Sequence, residues 1–283
     1  MNLSHYKRPV TCKEETFHFA EQTYVMGILN VTPDSFSDGG QFNEQERAVA
    51  RAKEMLEEGA TIIDVGGEST RPGGHAPVSV EEEIERVVPI IEALTEELNC
   101  VISVDTYKAT VARRAIEAGA SIINDIWGGQ KDPDMLRVAA EKNVPIVLMH
   151  NRKEAVYPNG FEKDYFADME KIIRDAKEAG IPDEHIWLDP GIGFAFAKSQ
   201  EQNLEAMRLL PKLVAYGYPV LLGTSRKSMI GYVLDVPVDE RLAGSLATVS
   251  YGAMSGCHMM RVHDVKETVH TTKMIDRLQK GAL

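Results

Sequence analysis

The stretch ATIIDVGGE, residues 60–68, carries the clearest fold signal in the chain. Its apolar residues follow one another without the alternation of polar and apolar side chains that a half-exposed sheet shows. A glycine-rich polar segment comes next, and then an amphipathic stretch over residues 80–98. This order predicts a strand that is buried on both faces and then a helix, the repeating unit of a parallel α/β sheet.

The same unit recurs along the chain. Short apolar runs predict strands over residues 24–29, 60–65, 100–104, 121–124, 144–149, 185–188, 218–222 and 257–262. Amphipathic stretches predict helices over residues 44–58, 80–98, 110–118, 164–179, 204–215 and 241–254, among others. Eight strand–helix units match the count of a closed (β/α)8 TIM barrel. An open doubly wound sheet is the alternative, and the lack of a dinucleotide-binding G-x-G-x-x-G motif favours the barrel.

A single domain is expected over residues 1–283, because one TIM barrel takes roughly 250 residues. The first twenty or so residues precede the first predicted strand. The alternation in TFHFAEQTYV, residues 16–25, predicts a β-hairpin that covers the bottom of the barrel.

The composition is that of a globular protein with an acidic surface. Lys and Arg total 31 against 43 Asp and Glu, which gives a formal net charge of −12. Nucleic acids and anionic membranes repel such a surface, so neither is an expected partner. The 3 cysteines form no C-x-x-C pair, and no stretch approaches the roughly 20 apolar residues that span a bilayer. We therefore expect a cytoplasmic enzyme or binding protein.

Polar side chains stand at the ends of the predicted strands, where a barrel carries its active site. They are Asn30, Asp64, Glu68, Asp105, Asn124, Asp125, His150 and Asp189. Capping of the following helix can explain any single acidic residue among them. It does not explain the whole set together with Lys227 and Arg261, so we predict a substrate site at this rim.

Two glycine-rich loops, residues 30–40 and 66–74, follow the first and second predicted strands. Phe36 is an aromatic tip on the first loop, which predicts a lid. Arg71 is the one cation in the second loop, which predicts an anion clamp. The alternative for both segments is a plain mobile surface loop.

Two later segments predict an anion site. The segment GTSRKS, residues 223–228, lies between a predicted strand and a helix, whose first N–H groups can bind an anion. Its serines and threonine can cap the helix, and Lys227 can bind a substrate or remain solvated. Arg261 and His263 are two residues apart on the last predicted strand, so they point to the same side and can share a phosphate.

These four segments, with DTYK at 105–108, INDI at 123–126 and DPGIG at 189–193, resemble bacterial dihydropteroate synthase. The resemblance runs from Met26 to about Asp276, with the motifs in the same order. It implies a (β/α)8 barrel, a homodimer and Mg²⁺ as cofactor. The implied reaction condenses a dihydropterin-methyl diphosphate with 4-aminobenzoate to give 7,8-dihydropteroate and diphosphate, and sulfonamides are the implied inhibitors.

The resemblance also implies roles for individual residues. Pterin contacts carry over to Asp105, Asn124, Asp189 and Lys227, with Met149 and Phe194 as apolar walls. The departing diphosphate is assigned to Ser228, Arg261 and His263, with Mg²⁺ held partly by Asn30. The 4-aminobenzoate site is assigned to Thr70, Pro72 and Ser228, with Phe36 closing over the ring. Arg71 and Gly223 complete the substrate-binding set, and catalysis is assigned to Asp105, Asn124, Asp189, Lys227 and Arg261.

The chemistry of the substrates is consistent with these roles. An aromatic amine is neutral at pH 7, so no general base is needed to activate it. The difficult step is ionisation of the C–O bond to diphosphate. We expect Arg261, His263 and Mg²⁺ to stabilise the departing negative charge. We expect Asp105 and Asp189 to stabilise the positive charge on the pterin methylene, which predicts a dissociative, SN1-like displacement.

One loop departs from the family pattern. After DPGIG the family has Phe, a small residue and Lys, whereas this chain has FAFAK at residues 194–198, two residues longer. Harmless variation of loop length is one explanation. The other is that the added ring spares 4-aminobenzoate but clashes with bulkier sulfonamides, so that the enzyme tolerates these inhibitors. The insertion leaves open whether Phe194 or Phe196 is the pterin wall.

Two alternative functions are compatible with parts of this pattern. A pterin-binding corrinoid methyltransferase would share Asp105, Asn124 and Asp189 but has no use for a diphosphate site, so the segments around Lys227 and Arg261 disfavour it. An inactive paralogue is disfavoured because each motif position that the chemistry needs is occupied. Diphosphate release from the two substrates, with and without Mg²⁺, distinguishes the three.

Overall fold

The computed structural model describes residues 6, 8–31, 40–68, 78–194 and 196–280. The strands in these ranges are β1 (Val10–Cys12), β2 (Glu15–Phe17), β3 (Tyr24–Asn30), β4 (Ile62–Gly66), β5 (Val101–Asp105), β6 (Ile122–Asp125), β7 (Ile146–Met149), β8 (Ile186–Asp189), β9 (Leu221–Leu222) and β10 (Met259–Val262). The helices are α1 (Gly40–Glu57), α2 (Val80–Glu97), α3 (Ala109–Glu117), α4 (Met135–Lys142), α5 (Phe161–Glu178), α6 (Gln200–Arg208), α7 (Leu210–Val214), α8 (Ser228–Leu234), α9 (Leu242–Met254) and α10 (Val265–Lys280).

Strands β3 to β10 form one parallel sheet in the order β8-β7-β6-β5-β4-β3-β10-β9. The sheet closes because Leu188 of β8 pairs in parallel with Val220, just before β9. The Leu188 N–H donates to the Pro219 carbonyl at 2.8 Å across this seam. The predicted (β/α)8 barrel is therefore confirmed, and the open doubly wound sheet is excluded. That residues 1–283 form one domain stays a prediction.

The bottom of the barrel is filled by one apolar side chain from each of the eight strands. These are Met26, Ile62, Val101, Ile122, Val147, Trp187, Leu221 and Met259. The hairpin β1–β2 packs Val10, Cys12 and Phe17 against the same cluster. Phe17 and Phe19 meet the Trp187 ring edge-on at centroid distances of 6.0 and 5.5 Å. The predicted hairpin over the bottom is confirmed, although its strands lie at 10–17 rather than within 16–25.

The helices cover the outer face of the sheet. Helix α2 begins after Ser79, whose hydroxyl accepts the Glu82 N–H at 3.1 Å and so caps the helix. Its apolar face buries Val87, Ile91 and Leu94. The helix predicted over 204–215 is instead two helices, α6 and α7. Pro211, which lacks an N–H and cannot continue an α-helical ladder, explains the break.

No helix in the described ranges combines the length and the apolar character that crossing a bilayer needs.

Candidate active site

The polar residues of the candidate site stand directly above the eight apolar side chains that fill the bottom of the barrel. Asp64, Asn124 and Asp189 each follow one of those eight residues by two positions, as do Met149 and Arg261. Alternate residues of a strand share a face, so these side chains also point into the barrel. They lie on the side of the carboxyl ends of the strands, where barrel enzymes carry their chemistry. The predicted location of the site is therefore consistent with the fold.

Arg261 lies between two aspartates at the centre of this layer. Its Nε donates to Asp64 Oδ2 at 2.6 Å, and its Nη2 donates to Asp105 Oδ2 at 2.6 Å. Asn124 Nδ2 donates to the same Asp64 oxygen at 3.2 Å. The Asp64 side chain is fully buried, and its Oδ1 has no hydrogen-bond partner among the described residues. Two carboxylates thus share one guanidinium, which leaves an excess of negative charge.

The sequence places Asp64 in the polar set at the strand ends but assigns it no substrate contact and no catalytic role. The signal for its pairing is its position as a carboxylate inside an otherwise apolar buried strand, because buried carboxylates need a partner. The prediction for Arg261 named a phosphate as its partner, whereas the structure pairs it with the two aspartates. His263 is predicted to share an anion with Arg261. In the structure its Nδ1 forms a 3.0 Å hydrogen bond with Ser225 Oγ.

Burial shifts the titration of these groups. Burial, and secondarily the charge of Asp64, raise the pKa of Asp105 to about 7, although Arg261 opposes the shift. Burial alone would lower the pKa of Arg261, but Asp64 and Asp105 raise it above its usual value. Arg261 is therefore a permanent cation, whereas Asp105 changes its charge near neutral pH.

Asp189 is the last residue of β8, and the loop that follows it packs tightly against the end of β7. Its Oδ1 accepts the Gly191 N–H at 2.6 Å. Gly191 has φ +70°, and a Cβ there would lie 2.0 Å from the His150 carbonyl oxygen, so only glycine fits. Burial raises the pKa of Asp189, while Lys227 and the Gly191 N–H lower it.

Lys227 faces the same loop from the other side. Its Nζ donates to the Ile192 carbonyl at 2.5 Å and lies 4.8 Å from the centroid of the Phe194 ring. Burial lowers the pKa of Lys227 to about 8, with Asp189 opposing the shift. Lys227 precedes α8 without any side-chain cap of that helix. The capping that the sequence allows for Ser225 and Thr224 is not formed, because Ser225 bonds to His263 and Thr224 bonds to Thr248.

The inserted loop separates its two phenylalanines. Phe194 is 8% exposed and packs with Met149 and Ala197 in a small apolar cluster. Phe196 is 44% exposed and stacks on Trp127 at a centroid distance of 5.9 Å and an interplanar angle of 19°. Phe194 is therefore the ring on the side of Lys227 and Asp189, and Phe196 is the ring at the outer rim.

Asn30, Gly66 and Asp105 lie in one row across β3, β4 and β5, since Gly66 pairs with both neighbours. A Cβ on Gly66 would lie 3.7 Å from Asp105 Oδ2 and 3.9 Å from Asn30 Oδ1. Both oxygens therefore border the space that a side chain on Gly66 would occupy. Four predicted site residues lie outside the described ranges, namely Phe36, Thr70, Arg71 and Pro72.

Comparison with known proteins decides the family. The model of the family described as "Pterin binding enzyme" matches residues 26–263. A dihydropteroate synthase of Clostridium beijerinckii is 58% identical over 92% of this chain and 96% of that protein. This chain belongs to the dihydropteroate synthase family. The predicted type of enzyme, a transferase of folate biosynthesis, is thereby confirmed, and the two alternative functions receive no support.

Solved structures of dihydropteroate synthases have the same fold. One from Clostridium difficile, determined in the presence of pteroic acid, gives a TM-score of 0.87 at 47% identity, covering 90% of this chain and 96% of that one. One from Yersinia pestis, in a sulfonamide drug complex, gives a TM-score of 0.87 at 40% identity, covering 97% of this chain and 100% of that one. Both coverages span nearly the whole of this chain.

Proposed function

We propose that the barrel layer around Arg261 binds a dihydropterin-methyl diphosphate and that 4-aminobenzoate displaces its diphosphate. The observation that carries this proposal is the buried Asp189 carboxylate beside an apolar wall of Met149 and Phe194. One edge of a pterin presents adjacent N–H donors, which a carboxylate can accept as a pair, and an amide such as Asn124 supplies both a donor and an acceptor. The flat ring fits an apolar wall.

The proposed reaction begins with cleavage of the C–O bond at the pterin methylene. The bonding electron pair leaves with diphosphate, and the positive charge that remains is spread over the pterin ring. The Asp105 and Asp189 carboxylates stabilise that charge. The amine nitrogen of 4-aminobenzoate then donates its lone pair to the methylene carbon to form the new C–N bond, and the proton it loses passes to the released diphosphate. Arg261 donates hydrogen bonds from Nε and Nη2 to Asp64 and Asp105. Because a guanidinium has five N–H groups, Arg261 retains further donors for a diphosphate oxygen.

The residues present suit Mg²⁺, which prefers oxygen ligands and is commonly held by one or two protein oxygens, waters and substrate phosphates. No group of three or more His, Cys, Asp or Glu side chains in the described residues forms an all-protein cage. Asn30 Oδ1 lies 3.9 Å from the position of a Cβ on Gly66 and is the protein oxygen proposed for such an ion. Asn30 would hold the ion together with diphosphate, and the ion would neutralise charge on the leaving group.

Sulfonamide tolerance is proposed as a property of the inserted loop. The exposed Phe196 ring is fixed at the rim by Trp127, and it contacts Phe194 edge-on at a centroid distance of 6.0 Å. A ring held at the rim adds a steric obstacle to inhibitors that extend beyond the sulfonyl group. It leaves a small substrate such as 4-aminobenzoate less affected.

A homodimer is proposed from an apolar surface on three consecutive helices. Nine of the eleven large apolar side chains exposed in the described residues lie between Tyr232 and Leu278. They belong to α8, α9, α10 and the connecting segment 235–241, and these helices pack side by side. A concentration of exposed apolar side chains on packed helices is typical of a protein interface, and a second copy of the chain is the proposed partner.

The cytoplasm is the proposed location. Cys12, Cys100 and Cys257 are buried free thiols. Free thiols are typical of proteins from reducing compartments, where disulfides rarely persist.

The experiment that tests the proposed site is isothermal titration calorimetry of an unreactive pterin with the Asp189→Asn variant. An amide cannot accept two N–H bonds on the same edge, so affinity should fall by about 10- to 150-fold, the equivalent of roughly 1.5–3 kcal/mol. Glu92→Gln on the exposed side of α2 is the control and should bind normally. Unchanged affinity in Asp189→Asn would remove this residue from the pterin site.

A further inference from the structure

The loop that follows Asp189 is held at two consecutive carbonyl groups by two lysines. Lys198 Nζ donates to the Gly191 carbonyl at 3.1 Å, and Lys227 Nζ donates to the Ile192 carbonyl at 2.5 Å. Lys227 is partly exposed toward the candidate site, but the Lys198 side chain is fully buried on the other side of the loop. Buried lysines are rare because an ammonium group loses its hydration there.

Lys198 also connects this loop to the neighbouring strand. Its Nζ donates to the His150 carbonyl, directly after β7, at 3.2 Å and lies 6.0 Å from the centroid of the Tyr165 ring. A Cβ on Gly191 would lie 2.9 Å from the same Nζ. One ammonium group thus fixes the ends of β7 and β8 together, at the point where Gly191 donates its N–H to the Asp189 carboxylate.

We propose that Lys198 is a positioning residue for the reaction, which holds the Asp189 carboxylate in place through Gly191 and supplies a buried counter-charge to it. This inference rests on the proposed role of Asp189 in pterin binding. Lys198 itself is not expected to touch the substrate, because its side chain is 0% exposed and lies behind the loop. Its contribution is therefore geometry and charge at Asp189.

The charges around Lys198 support an electrostatic link to Asp189. Burial lowers the pKa of Lys198 to about 7, and Asp189 and Asp168 oppose the shift, while Lys227 and Arg152 add to it. In turn Lys198 is one of the cations, with Lys227 and Arg261, that lower the pKa of Asp189 against its burial. Removal of the Lys198 charge should therefore raise the pKa of Asp189, so that the Asp189 carboxylate becomes protonated at a higher pH than in the wild type.

The backbone hydrogen bonds before Lys198 show how the two-residue insertion is accommodated. Both the Ala197 and the Lys198 N–H groups donate to the Phe194 carbonyl at 3.0 Å, which closes a tight turn. Ala197 is buried and Phe196 is exposed, so the extra length is taken up toward the outside. Lys198 still reaches the carbonyl groups of His150 and Gly191.

Two variants separate the parts of this role. Lys198→Gln keeps an N–H donor for the carbonyl groups but loses the charge, and Lys198→Met loses both. Calorimetry with an unreactive pterin, from about pH 5 to 8, should show that the loss of binding on acidification moves to higher pH in both variants. At the pH of strongest wild-type binding, Lys198→Met should bind about tenfold more weakly or worse, and Lys198→Gln should lose less. Lys171→Met, on the exposed side of α5, should match the wild type.

The outcomes are distinguishable from failure of the proposed site. If Asp189→Asn binds the pterin as the wild type does, the proposed site fails and this inference fails with it. If Asp189→Asn loses affinity but both Lys198 variants keep the wild-type pterin affinity and its wild-type decrease at low pH, only the positioning role is overturned. Circular dichroism checks folding, and two variants that both fail to fold would make Lys198 a structural residue and also overturn the proposal.

Discussion

Arg261 and Asp64 are joined by a 2.6 Å hydrogen bond between Nε and Oδ2, although 197 residues separate them in the chain. The bond spans from β10 to β4 inside the barrel and fixes the guanidinium that also holds Asp105. A buried carboxylate with a buried cation is a costly arrangement unless both remain paired. The candidate site therefore depends on Asp64 as much as on the residues assigned to the substrate.

Replacement of Asp64 by alanine should destabilise the protein and impair catalysis. Arg261 would keep only Asp105 as a partner, and loss of one partner of a buried pair costs about 3 kcal/mol or more. Urea unfolding should report this loss, and kcat/KM should fall at least about tenfold because Arg261 is no longer fixed. Glu141→Ala removes an exposed partner of Arg113 and should leave both quantities unchanged. Wild-type stability and activity in Asp64→Ala would contradict the role given to this bond.

The rate should show a bell-shaped dependence on pH. The pKa of Asp105 is raised to about 7, so the carboxylate is ionised above that pH and is lost by protonation below it. The pKa of Lys227 is lowered to about 8, so the ammonium is lost above that pH. We expect kcat/KM to be highest between these values and to fall by about tenfold per pH unit on the acid side.

Asp64→Asn tests which group forms the acid limb. The charge of Asp64 raises the pKa of Asp105, so its removal should move the acid limb to lower pH. Measurement of kcat/KM against pH for the wild type and Asp64→Asn gives the comparison. An acid limb that keeps its position in Asp64→Asn would mean that another group controls it.

Phe196→Ala should increase inhibition by sulfamethoxazole. The substitution removes the ring that stacks on Trp127 and leaves the buried turn at Ala197 unchanged. The inhibition constant should fall while the KM for 4-aminobenzoate changes much less, and deletion of two residues from FAFA should act in the same direction. Val156→Ala, which removes another exposed apolar side chain, is the control. Equal inhibition of Phe196→Ala and the wild type would reduce the insertion to a neutral variation in loop length.

Charges placed on α10 should disrupt the proposed dimer. Met274 and Leu278 are 61% and 71% exposed. A Met274→Glu, Leu278→Glu variant should sediment as a monomer in analytical ultracentrifugation if the wild type is a dimer, because like charges would meet at the interface. Lys212→Glu, on an exposed part of the surface, should leave the sedimentation coefficient unchanged. A monomeric wild type would contradict the proposal at once.

Much of the fold follows from short-range signals. Each buried strand is a run of apolar residues, so Asp105, Asn124 and Asp189 could be assigned to strand ends from the sequence alone. The start of α6 is similarly local, because Ser199 and Gln202 form a capping box. Pro211 is a local signal for the break between α6 and α7, and the single helix predicted over residues 204–215 does not take it into account.

The interior arrangement of the site could not be predicted in the same way. The pairing of Asp64 with Arg261 depends on which residues of different strands share a level inside the barrel, and this is set by the stagger of the closed sheet. Lys198 lies in a loop whose sequence gives no sign of burial, because its partners are backbone carbonyl groups. Such contacts have no sequence pattern of their own.

The deuterium isotope effect at the pterin methylene tests the central claim most directly. The claim is that the site ionises the C–O bond before the amine attacks, with Asp105 and Asp189 facing the positive charge. The measurement compares kcat/KM for pterin diphosphate carrying CH₂ or CD₂ at that carbon, at saturating Mg²⁺. A carbon that becomes trigonal in the transition state should give a clear normal isotope effect, and that is the predicted result. A value of one or an inverse value would indicate an associative displacement and contradict the account.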